Sequence, residues 1–397
     1  MTEQNHSPGP SGDSFPCSSC GAKLHYDATL QALKCPYCGT QQAMPTTPSG
    51  AREIPIEEGL RLAQRGYGTP VQQVGCNECG AVVNVASGEQ TATCTFCKSH
   101  QVLAREAAAT PIRPESVVPF KVDKNSAAAR FDEWLGGLWF RPNNLREMAK
   151  VEGLAGVYIP YWTFDARVYS RWTAQAGYYY YVDETYTDAQ GQQQTRKVQK
   201  TRWEPASGQR SDNYDDMIVC ASKGLPHNLG DELKSFDTKA LTPYRPEFLA
   251  GWRAEAYALD LMPAWDIGQT KMAHEQQSRC ARDVPGDTHQ NLQVHNNFAH
   301  VTFKHVLLPI WVAAYRYQDK PYQFLVNGQT GEVVGKAPYS VIKIVLFILF
   351  ILAVIAGIAV ATGSKKASRS RVSQIDSTMF VLASAAGRCT LAGHVAT

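Results

Sequence analysis

Cys17-Ser18-Ser19-Cys20-Gly21-Ala22 followed by Cys35-Pro36-Tyr37-Cys38-Gly39, and again Cys76-Asn77-Glu78-Cys79-Gly80-Ala81 followed by Cys94-Thr95-Phe96-Cys97, write one cysteine pattern twice. The copies are offset by 59 residues, and fourteen residues separate the two pairs within each. A Cys-x-x-Cys turn holds two thiolates about one tetrahedral edge apart. Two such turns joined by a short β-hairpin complete the four-sulfur shell that Zn²⁺ prefers, with iron the competing ion. Gly21, Gly39 and Gly80 follow the second cysteine of a pair, where a left-handed residue lets backbone amides point at sulfur; Lys98 departs from this rule. A disulfide framework or a redox dithiol would need a secretory or thioredoxin-like context, and four pairs at a duplicated spacing fit neither.

The sequence therefore predicts two structural Zn²⁺ ions, one on Cys17, Cys20, Cys35 and Cys38 and the other on Cys76, Cys79, Cys94 and Cys97. A four-thiolate shell has no open coordination position, which excludes a catalytic metal of the metalloprotease kind. Ribbons this small derive most of their folding free energy from the metal, on the order of 10 kcal/mol or more.

The 397 residues, 44% hydrophobic and 19% charged, are ordinary globular material with room for two or three domains. The expected layout is α+β. It comprises a disordered tail over 1–14, a zinc ribbon over 15–43, a linker over 44–73 and a second ribbon over 74–103. An aromatic-rich, mainly antiparallel β domain follows over 115–335, then a transmembrane helix over 341–363 and a basic tail over 364–397. All eight tryptophans lie in the large domain, between Trp134 and Trp311. Within the linker, residues 54–67 read as a short amphipathic helix through Leu60 and Leu62. In the large domain Ser126 reads as the N-cap of a helix presenting Phe131, Trp134, Leu135 and Leu138 on one face, and Asn143 or Asn144 as the cap of a second. Residues 157–181, 300–317 and 322–326 read as strands, with turns at Gln190-Gly191 and Asp319-Lys320.

From Ile344 to Ser364 run 21 residues without a formal charge. As a helix they extend roughly 32 Å, enough to cross a bilayer's hydrocarbon. Beyond Gly363 the chain carries a net charge of +4, whereas residues 1–110 carry −2, so the ribbons are poorly suited to phosphate and hence to nucleic acid. The N-terminus has no apolar export segment, and this places the ribbons in the cytoplasm, anchored to the inner membrane by a single pass. The cations after the helix pull the other way under the positive-inside rule.

Val118-Pro119-Phe120-Lys121-Val122, Trp139-Phe140-Arg141-Pro142, Gly156-Val157-Tyr158-Ile159-Pro160-Tyr161-Trp162, Leu308-Pro309-Ile310-Trp311 and Val326-Asn327-Gly328-Gln329-Thr330-Gly331, taken with the two ribbons, resemble a bacterial membrane-anchored double zinc-ribbon family. Its members carry labels borrowed from transcription-factor-type zinc ribbons or from the replication-restart helicase, primosomal protein N′. The resemblance covers about residues 15–362. It implies the architecture above, and protein partners of the SPFH or phage-shock type at the membrane.

Enzyme readings fall on composition. Gly331-Glu332-Val333-Val334-Gly335-Lys336-Ala337 lacks the spacing and the hydroxyl of a phosphate-binding loop, so no helicase motor is encoded. His274-Glu275-Gln276-Gln277-Ser278 lacks the second histidine of a zincin helix. His295, His300 and His305, near Cys280, recur at a spacing that alternates faces on a strand, and Cys220 with His227 has no orienting acid. Tyr178-Tyr179-Tyr180-Tyr181 reads as packing on a strand. The expectation is a non-catalytic membrane adaptor that docks cytoplasmic proteins through its ribbons and aromatic domain. A membrane-tethered nucleic-acid-binding module is the alternative, and no small-molecule substrate is evident.

Overall fold

A run of unbroken and then alternating buried residues gives the chain its backbone: the strand Glu152–Thr187, which the computed structural model places at the middle of a three-stranded antiparallel ribbon. The structure describes residues 15–44, 52–65, 72–85, 93–97, 99–106, 112–145, 152–188, 191–225, 229–233, 235–317 and 320–363. Both chain tails, Lys98, Gln190, His227, Asp319 and the helix expected after Asn144 lie outside them. The described chain divides into a main body, which runs to Trp139 and from Asn143 to Ala337, and a second unit of Phe140–Pro142 with the residues from Pro338.

In the main body the first long strand, Glu152–Thr187, pairs on one side with the second, Gln193–Cys220, and on the other with the third, Thr288–Tyr317. Its burial changes along its length in three steps. Residues 157–164 are buried on both faces. Residues 166–176 alternate, with Ala166, Val168, Ser170, Trp172, Ala174 and Ala176 buried and Arg167, Tyr169, Arg171 and Thr173 exposed. Beyond Tyr178 both faces are wet. Side chains on a strand point alternately to its two faces, so this record states which face is covered where.

Over the fully buried stretch, the two faces are sealed by different partners. Tyr158, Leu307, Trp311, Phe324 and Val326 pack with Cys17, Leu24, Tyr26, Leu33 and Cys35 of the first ribbon and with Phe131 and Leu135 of a helix. On the opposite face Val157, Ile159, Tyr161, Val306, Leu308 and Ile310 pack with Cys76, Ala81, Val83, Cys94 and Phe96 of the second ribbon. Helix α1, Ile56–Arg65, lies in the segment between the ribbons. The residues just before it, Ile54–Pro55, pair with Phe303 and Thr302 of the third strand.

The helix on the first face, α2, is Lys124–Gly136. Its N-cap is Asp123 rather than the expected Ser126: the Asp123 carboxylate accepts the Ser126 backbone N–H at 2.9 Å and its hydroxyl at 3.0 Å. Asp caps as well as Ser, and the chain reaches helical geometry one turn earlier than the serine suggested. Phe131 stacks on Phe324 with ring centroids 3.6 Å apart.

Over the alternating stretch lies α3, Leu261–Asp283, whose buried residues Leu261, Ala264, Trp265, Gly268, Met272, Gln276 and Cys280 recur at three- and four-residue steps. Gly268 is required by closeness: a Cβ there would stand 2.9 Å from the Phe164 ring. A polar clamp fixes the helix along its axis. Gln276 donates to Asp212 at 2.7 Å and accepts from the Tyr214 hydroxyl at 2.9 Å, while Arg210 and Arg279 both pair with Asp212. Those guanidiniums, Arg210 first, hold the Asp212 carboxyl well below its ordinary range.

The strand expectations hold with longer bounds, and the expected hairpin at Gln190-Gly191 closes at residues 188–192, with Gly191 at φ +79°. The second unit contains α4, Val341–Gly363, with side chains described as far as Ile355. Among the described residues, no helix is long and apolar enough to cross a membrane. The remainder of the apolar run, through Ser364, is outside what those residues show.

The far end of the ribbon contributes nothing to the core, so it can be removed. Joining Gly177 to Trp203, which face one another across the first two strands, through an Asn-Gly turn should leave the urea unfolding free energy of the main body within about 0.5 kcal/mol. A loss of several kcal/mol would show that the tip is part of the folding unit.

Candidate metal centres

Each tetrad is assembled by two knuckles on a short sheet. In the first, the 17–20 turn precedes His25–Asp27, and Ala32–Lys34 leads into the 35–38 turn. In the second, Gln72–Cys76 enters one knuckle, Val82–Val85 leaves it, and Val102–Glu106 follows the other. Gly21, Gly39 and Gly80 have φ of +72°, +75° and +76°, and their N–H groups donate back to Cys17, Cys35 and Cys76 carbonyls at 2.8–3.0 Å. That is the left-handed closure the sequence demanded of glycine.

The sulfurs converge. Cys17 and Cys38 are 3.5 Å apart, as are Cys20 and Cys35. Cys76 and Cys97 are 3.6 Å apart, Cys79 and Cys94 3.7 Å. Within each set all four lie within 4.8 Å of one another. A tetrahedral shell with metal–sulfur bonds of about 2.3 Å has an edge of about 3.8 Å. Both tetrads fit a four-thiolate metal centre, and the arrangement is that of two zinc ribbons. Close sulfur–sulfur contact divides the thiols of each tetrad: the Thr40 hydroxyl, 3.1 Å away, holds Cys38 down at about 6 and contact with Cys79 holds Cys94 down at about 5, while the same contacts push Cys20 and Cys79 up. Such a shell is full, so it can organise the chain but offers substrate no coordination site.

The centres are not free-standing. The Tyr26 N–H donates to the Ala250 carbonyl at 2.9 Å, and Trp252 Nε1 donates to the Tyr26 carbonyl at 2.9 Å. Gln31 Nε2 reaches the Phe120 carbonyl at 2.6 Å. The second ribbon continues into the large sheet, with Val83 and Asn84 paired to Glu255 and Ala254. Beneath it Glu255 is wholly buried and accepts from the Ser222 hydroxyl at 2.5 Å and the Gly224 N–H at 2.8 Å; burial pushes its carboxyl up to about 7.

The other candidates disperse. His274 is exposed on α3, beside a Glu275 that pairs with Arg279. His295 is exposed opposite Arg171, and His300 sits at a bulge with φ +53°. His305 is buried against Trp162 and Tyr257, its Nδ1 2.8 Å from the Ile112 carbonyl. Cys280 is buried under α3 with Trp172 and Ala174. Cys220 packs by Tyr161 and Gly230, and burial pushes its thiol up to about 12, away from nucleophilic thiolate.

Two features escaped the sequence reading. Lys304 is buried among Asp216 (2.8 Å), Asp165 (3.4 Å) and Glu53 (3.5 Å), an ion cluster assembled from residues more than two hundred positions apart. The second is the uncovered face of the long ribbon. Opposite α3 it displays Arg167, Tyr169, Arg171, Tyr179, Tyr181 and Trp203 among amides and hydroxyls; from Arg167 to Tyr181 the paired positions of that face carry no carboxylate, and the Asp287 carboxylate at its border accepts the Tyr179 backbone N–H at 2.7 Å.

No family model matches the chain, and no solved structure does. Over 335 residues, 83% of this chain and 92% of the relative, it is 25% identical to a protein of Bacillus subtilis (strain 168) named "Uncharacterized protein YdjG". The similarity spans most of both chains, and the name carries no activity.

The full-length protein should bind two divalent ions per chain by plasma emission. Cys20→Ser should remove one and Cys94→Ser the other, and each should lower the urea midpoint of the main body, because both tetrads contribute cysteines to core clusters shared with the long strands. One ion or none in the wild type would refute the paired centres.

Burial holds the His305 ring at about 4, below its unfolded value near 6.5. The unfolded chain therefore binds the extra proton between those values, and stability falls as pH drops through the window, by about 2 kcal/mol at pH 5. His305→Asn should lose that component, measured as the difference in pH dependence between wild type and variant; an unchanged difference would refute the assignment.

Proposed function

We propose that this chain is a non-catalytic zinc-ribbon adaptor, anchored in a bacterial inner membrane by α4 with its ribbons in the cytoplasm, that docks proteins at the membrane. Zinc is the ion that best suits eight thiolates in two closed shells. The observation that carries the reading is the placement of those shells: both ribbons are spent on sealing the faces of one sheet, and the surface left open is the acid-poor face of the long ribbon. Its Tyr169, Tyr179, Tyr181, Trp203, Arg167 and Arg171 are the residue types that dominate protein interfaces. Of the two docking surfaces expected from the sequence, the ribbons and the aromatic domain, this reading keeps the second and narrows it to that face, and the partner it suits presents carboxylates. The resemblance to the membrane-anchored double-ribbon family supports partners of the SPFH or phage-shock type. For the anchor, support comes from α4, whose described apolar residues from Val341 to Ile355 are exposed except for the half-buried Ile344 and Ile351.

The test uses the full chain in membranes and a purified SPFH-type protein from the same cells. Tyr169→Ala with Trp203→Ala should weaken capture at least about tenfold with metal content unchanged. Capture should depend weakly on salt, unlike binding to single-stranded DNA. If DNA binds with a steep salt dependence and the SPFH-type protein does not bind, the chain is a nucleic-acid module instead.

A further inference from the structure

The second unit joins residues two hundred positions apart at the first turn of α4. Ser340 caps the helix: its hydroxyl accepts the Lys343 N–H at 3.4 Å, and its carbonyl accepts the Ile344 N–H at 3.1 Å. The Ser340 N–H, in turn, donates to the Phe140 carbonyl at 2.7 Å. The Phe140 ring meets Phe347 edge-on, with centroids 5.3 Å apart at 74°. Arg141 lays its guanidinium 3.8 Å over the ring of Tyr339. A backbone hydrogen bond, an aromatic pair and a cation–π contact thus hold Phe140–Pro142 against the helix start.

The chemistry gathered there is one-sided. Arg141 and Lys343 are cations, Tyr339 is 62% exposed, and neither 140–142 nor 338–355 contains a carboxylate. Directly beyond lie Val345, Leu346, Phe347, Ile348 and Leu349, all exposed. Tyrosine suits the level of lipid headgroups because its ring is apolar and its hydroxyl wet, while cations there meet phosphate. A guanidinium held over a ring is fixed in place, and a guanidinium is the side chain best suited to taking a phosphate by two oxygens.

We infer that Arg141, Tyr339 and Lys343 form a headgroup-binding collar for anionic phospholipid, with Phe140 fastening the loop to the helix. This rests on the membrane reading of α4 given above. Arg141 supplies a guanidinium contact to the phosphate, Lys343 a second positive charge in the first turn of α4 just before the uncharged span, and Tyr339 the platform that fixes the guanidinium. The collar makes a distant loop part of the anchor, and it ties the anchor to lipid charge as well as to hydrocarbon.

The experiment reconstitutes the full chain in phosphatidylcholine vesicles carrying spin-labelled phosphatidylglycerol or spin-labelled phosphatidylcholine, and reads the motionally restricted lipid fraction of each. The wild type should restrict phosphatidylglycerol in preference to phosphatidylcholine. Arg141→Gln should reduce that preference roughly fivefold. Tyr339→Ala should reduce it too, whereas Tyr339→Phe should keep it. Because every variant retains the tail cations, the change is read against the wild type. Restricted lipid without any loss of preference in Arg141→Gln overturns the collar and leaves the anchor standing. No restricted lipid of either kind overturns the membrane reading itself. Loss of the preference on adding inorganic phosphate would show a free-anion site and equally overturn the collar. A preference abolished only by conditions that dissociate a dimer of α4 would assign the surface to a second copy.

Discussion

Residues 157–164 of the first long strand are buried on both faces, and much of the fold follows from the need to cover them. A strand with two apolar faces cannot stop at a single helix layer, because one row of Val, Ile and Tyr side chains would remain in water. Here a small metal-closed hairpin is laid on each face. The ribbons gain the core they lack, and the sheet gains lids whose shape is fixed by four sulfur bonds rather than by their own packing. Metal binding and sheet stability therefore belong to one cooperative unit. Loss of either ion exposes strand as well as ribbon.

The same arrangement accounts for the polar groups trapped inside. Glu255 is buried where the second ribbon joins the sheet, and hydroxyl and backbone donors surround it. Lys304 answers several carboxylates at the bulges where the long strands enter the core. His305 remains neutral between Trp162 and Tyr257. Each is held by elements distant in sequence, His305 through Nδ1 alone with its Nε2 buried and unpartnered, so each reports the assembled sheet rather than a local motif.

How much of this the sequence disclosed depends on range. The cysteine tetrads, their glycines and the apolar run of α4 are local patterns with one physical solution, and they could be read directly. The aromatic strand was legible because Tyr, Trp and Val crowd it. Its partner, Gln193–Cys220, was not: lying at the ribbon's edge, it carries Gln, Arg, Ser and Asp on both faces and shows no apolar period. The helix α3 was hidden for a related reason, since Gln276 and Gly268 occupy positions where periodicity looks for large apolar residues. The α2 cap shifted from Ser126 to Asp123 because both residues can cap and only the preceding backbone decides. The histidines failed as a cluster because strand parity and a bulge send them to different surroundings.

The irregular steps in the long ribbon fall at Tyr214/Met217, Gln290/Gln293, Ala299/Thr302 and Val312/Ala314. In a ladder of this length a one-residue slip would turn every apolar side chain outward, and an irregular step that fits only one partner removes that freedom. Edge pairing is discouraged as well: the second strand presents Arg196, Lys197, Lys200, Arg202 and Pro205 along its length. A ribbon that cannot slide behaves as a gauge. At about 3.3 Å per residue, the ten residues from Tyr178 to Thr187 set its tip some 33 Å beyond the last helix-covered rung. Whatever the tip meets, it meets at a distance written into the register.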